Sequence, residues 1–249
     1  MTIHLLNCFT CNAHWPSKLK TGMACLLIET DQGRVLLDTG LGLDDYVHPT
    51  WMTQLFRVIT EVPFDPNEAA INRIKQLGFI PEDVKHIILT HMHFDHISGL
   101  PDFPHAKIHV HRREYEAFAG GRLKRWTELA YIPRYIAHQP EFVLYEEVDS
   151  KWYDFDAIRL PFVPEMYLIP LFGHSHGHCG VAIKTAGGWF FHAGDAGAVY
   201  NNESPTWLIK LVLGPHDQRL RSFMKAHPEV LLTNSHMFPE FFDLHPIIS

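Results

Sequence analysis

A chain of 249 residues, 46% hydrophobic and 20% charged, has an ordinary globular balance and enough apolar side chains for a sizeable core. Its 28 acidic residues against 21 basic ones give a formal charge of -7, which argues against a nucleic-acid partner, because such binders present a basic face. No apolar run approaches the roughly 20 residues that span a bilayer, and the opening Met1-Thr2-Ile3-His4 lacks a leader's basic and apolar regions, so no membrane partner and a cytoplasmic location are expected.

In chain order, residues 3–9, 24–28 and 34–38 are short apolar runs punctuated by Gly22, Asp31-Gln32-Gly33 and Gly40. That is the pattern of a β-meander. Asp65-Pro66-Asn67-Glu68 predicts a helix start, with Asp65 as cap, Pro66 in the first position and Glu68 in the third. Ala70, Ile71, Ile74 and Leu77 supply its buried stripe, and Gly78 ends it. Residues 84–89 form a β-branched apolar run, hence a buried strand. It stops at Thr90, directly before His91-Met92-His93-Phe94-Asp95-His96. Residues 107–110 predict a strand and 112–119 a helix. The aromatic, basic stretch 126–138 reads as a helical insertion of no definite place. Residues 166–171, 180–184 and 189–192 predict strands. A helix over 216–226 carries Leu220, Phe223 and Met224 on one side, and 230–232 is a last strand. No linker, charge block or low-complexity tract divides the chain, so residues 1–249 read as one domain of mixed strands and helices.

The unusual count is histidine: 19 residues, two fewer than Lys and Arg together. His91, His93, Asp95 and His96 fall within six positions after a buried strand. In an extended His-x-His both imidazoles lie on one side, because side chains alternate with period two. The Asp and His that follow can turn toward a second point a few ångströms away. Borderline metals such as zinc take imidazole and carboxylate ligands in this fashion. A lone histidine there would be an ordinary polar residue; four donors so close are a metal signal. His86, His105, His109 and His111 lack ligand spacing and read as structural or surface. Four cysteines are too few for a disulfide scaffold in a chain this long. Cys8-x-x-Cys11 beside His14 lacks the second pair a structural zinc site needs, so free thiols are expected, with Cys179 a small buried hydrophobe.

His91-x-His93-x-Asp95-His96 after an apolar strand resembles the signature of the metallo-β-lactamase superfamily. The resemblance extends over most of the chain. Leu36-Leu37-Asp38-Thr39-Gly40 is similar to the family's early strand ending in Asp-Thr-Gly. Gly173-His174-Ser175-His176-Gly177-His178 is similar to its Gly-His-Thr-x-Gly-His element. His192-Ala193-Gly194-Asp195 and Ser235-His236 match two later elements, all in the right order. The resemblance implies an α+β fold, the four-layer αβ/βα sandwich of the metallo-β-lactamase type, with metals at one edge. It implies two divalent metal ions, zinc first, with iron or manganese as alternatives. His91, His93 and His174 then hold one ion, Asp95, His96 and His236 the other, and Asp195 bridges. Asp95 is also the candidate catalytic group that returns a proton to the leaving group. Asp38 and His178 would support the ligands from behind, and His176 stands where the family often has Pro.

Within that superfamily the chain looks most like the N-acyl homoserine lactonases and their esterase relatives. Secreted β-lactamases lack the bridging Asp, tRNA-maturing nucleases carry a basic surface and an RNA-holding arm, and flavodiiron proteins add a flavodoxin domain. The chain departs from the lactonases at one place: where they carry a Tyr three residues after the bridging Asp, it has Ala198, with Tyr200 two residues on. The expected function is a dinuclear metal-dependent hydrolase of a small ester or lactone, acting through a metal-bound hydroxide. A hydroxyacylglutathione-type thioesterase and a mononuclear-iron persulfide dioxygenase are the alternatives. A small-molecule substrate is the expected partner, and the oligomeric state is open, a homodimer being one option. Trp51, Phe56, Phe64, Trp126 and Tyr131 are candidates for an apolar wall over the site.

Overall fold

A computed structural model describes residues 1–13, 19–63, 65–121, 126–198 and 206–249. The first half runs β1 (Thr2–Ala13), β2 (Leu19–Thr30), β3 (Gly33–Leu37), α1 (Leu43–Val47), α2 (Trp51–Thr60), α3 (Ala70–Gln76), β4 (Val84–Ile88), α4 (Phe94–Ile97), β5 (Lys107–His111), α5 (Arg112–Ala119) and β6 (Phe142–Tyr145). The second runs β7 (Ser150–Trp152), β8 (Phe155–Arg159), β9 (Met166–Pro170), β10 (Cys179–Thr185), β11 (Gly188–His192), α6 (Thr206–Leu213), α7 (Asp217–Ala226), β12 (Leu231–Thr233), β13 (His236–Met237), α8 (Pro239–Leu244) and β14 (Ile247–Ile248).

The strands make two mixed sheets. In one the order is β14-β1-β2-β3-β4-β5-β6, with β13 on β2; in the other it is β12-β11-β10-β9-β8-β7. The predicted meander is the antiparallel β1–β2–β3, and β3 to β6 then pair in parallel. Side-chain alternation sorts each strand between two cores. Leu26, Ile28, Val35 and Leu37 of the first sheet meet Leu168, Val181, Ile183 and Phe190 of the second. The intervening Leu27 and Leu36 face outward, against Ile74, Phe94, Ile97 and Phe118 of the helices. On the far side Ala182 and Phe191 pack on Leu220 and Phe223 of α7. The result is the expected αβ/βα sandwich.

Several local expectations need correction. Asp65 caps a turn, accepting from the Asn67 N–H, but Pro66–Glu68 is a 3-10 turn and α3 begins at Ala70. Glu68 does not fold back on that cap; its carboxylate accepts from the Thr10 N–H and hydroxyl. β3 stops one residue short, because Asp38 takes a left-handed conformation (φ 53). The stretch 126–138 is two 3-10 turns, Trp126–Ala130 and Pro133–Ile136. α2 was not anticipated: Thr50 caps it, yet Trp51, Leu55, Val58 and Ile59 are exposed, so its apolar residues do not form one buried stripe. The edge strands β6 and β7, and β8 beside β7, were likewise unread. All four cysteines are free and buried. Among the described residues no helix is long and apolar enough to cross a membrane.

Phe190 is fully buried between the sheets. Phe190→Ala should cost about 3–5 kcal/mol of stability, the usual range for emptying an aromatic site. Urea unfolding followed by fluorescence measures it, and a loss below about 1 kcal/mol would contradict this packing.

Candidate metal centre

The segments that converge on one edge all leave the ends of core strands. β3 leads to Asp38, β4 to the His91–His96 segment, β9 to the His174–His178 loop, β11 to Asp195 and β12 to His236. The path beyond β4 is set by α4: His93 is its N-cap, in extended conformation, and Asp95 and His96 lie in its first turn. The left-handed Asp38 turns its carboxylate back onto this segment. It accepts from the Thr90 N–H at 2.8 Å, from the Thr90 hydroxyl at 2.7 Å and from His96 Nδ1 at 2.8 Å. Thr39 continues the stitch, its N–H and hydroxyl both donating to the His96 carbonyl.

Three imidazole nitrogens meet at one point. His91 Nε2 and His174 Nε2 each lie 3.1 Å from His93 Nδ1. The tautomers follow from the outer nitrogens. His174 Nδ1 is 2.8 Å from the Val212 carbonyl and so donates. His91 Nδ1 is 3.0 Å from Thr90 Oγ1, whose own proton is committed to Asp38. Both Nε2 atoms therefore present lone pairs to the same place. Two nitrogens bound 2.0–2.1 Å from one tetrahedral zinc stand about 3.3 Å apart, so the spacing suits a shared ion.

The second group is built from Asp95, His96 and His236, with Asp195 beside it. His96 Nε2 is 3.9 Å from Asp95 Oδ2 and 3.7 Å from Asp195 Oδ2. His236 Nε2 is 3.7 Å and 3.6 Å from the same two atoms. These separations exceed a hydrogen bond but fit donors that share a cation about 2 Å from each. His96 Nε2 and Asp195 Oδ1 are buried with no hydrogen-bond partner among the described residues, a costly state unless an ion satisfies them. The donor set thus fits divalent metal, with imidazole and carboxylate ligands of the kind zinc, iron and manganese accept.

The electrostatics agree. Burial, then the neighbouring imidazoles of His96, His93 and His174, push His91 well below the usual histidine range. His93 is lowered in the same way. Burial opposes a charge on His96, but Asp38, Asp195 and Asp95 together hold it well above that range. His236 is raised by Asp195 and Asp95, again against burial. Asp195, although buried, is held well below the carboxylate range by His236 and His96. Gly194 is required here: with φ +57, a Cβ at this position would come within 2.5 Å of His178 Nε2. His178 Nε2 in turn accepts from the Asp195 N–H at 2.9 Å, so it orients Asp195 and does not face the cluster as a ligand.

All seven sequence candidates, His91, His93, Asp95, His96, His174, Asp195 and His236, therefore lie in overlapping groups whose donor atoms are within 4.8 Å of one another. Among the other histidines, His86 and His109 bond each other at 2.8 Å beside Tyr145, away from these groups, and His111 caps α5. His176 turns to the 126–130 segment, 2.6 Å from the buried Glu128. Of the proposed apolar wall, the Tyr131 ring lies 5.4 Å from that of His93. Phe56 packs below the site on Phe94 and Phe9, and Trp51 is 62% exposed. Phe64, Tyr200 and the Trp126 side chain lie outside the described residues. The residue sequence reading missed is Glu114, a buried acid in the first turn of α5, where a glutamate looks like ordinary helix chemistry.

Two back-to-back sheets with outer helices and a histidine–carboxylate cluster at their common edge define a metallo-β-lactamase-type protein. Residues 23–236 match the family model described as "Metallo-beta-lactamase superfamily", and the chain belongs to that superfamily. It is 38% identical over 200 residues to a "Probable metallo-hydrolase" of Mycobacterium tuberculosis, covering 78% of this chain and 62% of that protein. It is 27% identical over 167 residues to an N-acyl homoserine lactonase of Bacillus thuringiensis, covering 65% of this chain and 58% of that one. The matches thus span about three fifths of these curated relatives. Among solved structures, an N-acyl homoserine lactone hydrolase with N-hexanoyl-L-homoserine bound at its catalytic metal centre shares the fold. Its TM-score is 0.68 at 22% identity, over 97% of this chain and 95% of that one.

A proton on His96 or His236 must leave before its nitrogen can take a metal. Since both are held above the ordinary range, metal binding should release protons near neutral pH, and affinity should fall as pH drops. Titration calorimetry in two buffers of different ionisation enthalpy measures the release. Affinity that is flat between about pH 5 and 8, with no proton release, would contradict the arrangement.

Proposed function

We propose that the chain is a dinuclear metal-dependent hydrolase of a small ester or lactone, with zinc as the expected metal. The observation that carries the reading is the position of Asp195. Its Oδ2 lies 3.5 Å from His174 Nε2, 3.6 Å from His236 Nε2 and 3.7 Å from His96 Nε2, so one carboxylate faces both groups. In this reading His91, His93 and His174 hold one ion, Asp95, His96 and His236 hold the second, and Asp195 is common to both. When bound, the two ions supply a Lewis acid for the carbonyl and water acidified to a pKa near 7.

The remaining work falls to the chain. Asp195, oriented by His178, lowers the repulsion between two cations at close range. Asp95, its side chain 12% exposed against 6% for Asp195, is the carboxylate placed to hold the proton and return it to the departing alkoxide. Tyr131 supplies a ring wall beside His93, while its hydroxyl is committed to Glu114 at 2.9 Å and so is turned from the substrate. The lactonases among the relatives support an ester or lactone as the bond broken.

Chelation should abolish esterase and lactonase activity, and added divalent metal should restore it; equal turnover by metal-free protein would contradict the reading. Asp195→Ala should lower kcat by more than about 100-fold, since even outer partners of metal ligands are worth 10–100-fold, with both ions loosened. Near-normal rate and metal content would show the residue misassigned.

Ala198 is held at both ends by α7, its N–H donating to Asp217 and its carbonyl accepting from Arg221. A ring introduced there has a fixed origin. An oxyanion donor is typically worth about 2.7–4 kcal/mol, so acyl homoserine lactones should be poor substrates beside activated aryl esters, and Ala198→Tyr should narrow the gap. The ratio of kcat/KM for the two classes tests it. A wild-type preference for acyl homoserine lactones would overturn the inference.

A further inference from the structure

Glu114 is fully buried, and its carboxylate accepts four hydrogen bonds. Oε1 takes the Met92 N–H at 2.9 Å and the Tyr131 hydroxyl at 2.9 Å. Oε2 takes the Ser175 hydroxyl at 2.8 Å and the Gly177 N–H at 2.7 Å. Met92 sits between His91 and His93, and Ser175 directly follows His174. One side chain therefore ties together the two segments that supply the three-histidine group. The approach is close enough to dictate a glycine: a Cβ on Gly177 would lie 2.3 Å from the Glu114 backbone nitrogen. Tyr131, bonded to the same oxygen as Met92, also lays its ring beside His93.

Asp38 does the corresponding work elsewhere. Its partners are Thr90 and His96, so it braces the group that contains Asp95, His96 and His236 directly, and reaches the three-histidine group only through Thr90 and His91. We propose that Glu114 is the positioning residue of the three-histidine group, setting the affinity of that site while leaving the other unchanged. The proposal rests on the two-ion reading above. It has a chemical corollary. All four partners donate, and only a carboxylate offers two oxygens that both accept. In Glu114→Gln one end becomes an NH2. Ser175 or Tyr131 can turn a hydroxyl to accept from it, but the backbone N–H sharing that end loses its partner.

The test uses full-length, cobalt-loaded protein challenged with a graded competing chelator, the retained equivalents being followed by visible absorption. His174→Ala identifies which step belongs to the three-histidine site. In Glu114→Gln that step should weaken by about 10–100-fold, the range for outer partners of metal ligands, with the other step within about twofold of wild type. Ser175→Ala and Tyr131→Phe each remove one donor and should weaken the same step by less. They decide the matter if Glu114→Gln does not fold. Equal weakening of both steps would mean a general structural role and overturn the proposal, as would no change in either. Wild-type protein that retains fewer than two equivalents overturns the two-ion reading and this inference together. Two wild-type steps, both unmoved in the variants, overturn this inference alone.

Discussion

A carboxylate removed from water must meet a compensating charge or a full set of donors, and at this sheet edge three of them are buried within a few ångströms. Asp38, Asp95 and Asp195 are met there by imidazoles. Asp38 is satisfied outright by Thr90 and His96. Asp95 and Asp195 are not: their histidine partners stand beyond hydrogen-bond reach. That gap organises the molecule. The left-handed turn at Asp38, the glycine at 194 and the short helix α4 all deliver donors to one small volume that divalent cations would complete.

The frame around that volume is rigid because each ligand segment is anchored to a strand end and then held again from outside. Thr39 grips the His96 carbonyl, His178 grips the Asp195 amide, and Glu114 spans the His91–His93 and His174 segments. Such outer contacts fix ring orientation and tautomer, which is where metal affinity is set. The turns at 126–136, which lay the Tyr131 ring beside His93, are held by buried acids. Glu128 clasps His176, and Tyr135 donates to the buried Asp45 at 2.7 Å.

Much of this was legible in the sequence, for identifiable reasons. The His91–His96 cluster is visible because its ligands are neighbours in the chain, and several strands because each is an apolar run bounded by turn residues; their division into two sheets came only from the family resemblance, because Leu26, Leu27 and Ile28 are equally apolar whichever core they enter. His174, Asp195 and His236 came only from the family resemblance, since nothing local marks them. Glu114 and Glu128 were invisible because their roles exist only in tertiary contact: each is an acid in a helical turn until a distant loop donates to it. α2 went unread although Trp51, Met52, Leu55, Phe56 and Ile59 recur at helical spacing, and Asp65-Pro66 misled because a good cap can start a 3-10 turn as well as an α-helix.

Anomalous diffraction from crystals of the purified protein, collected across the absorption edges of zinc, iron and manganese, tests the two-ion centre most directly. Two peaks are expected, one among His91, His93 and His174 and one among Asp95, His96 and His236, with Asp195 between them. A single peak, or a second ion bound without Asp195, would contradict the dinuclear centre.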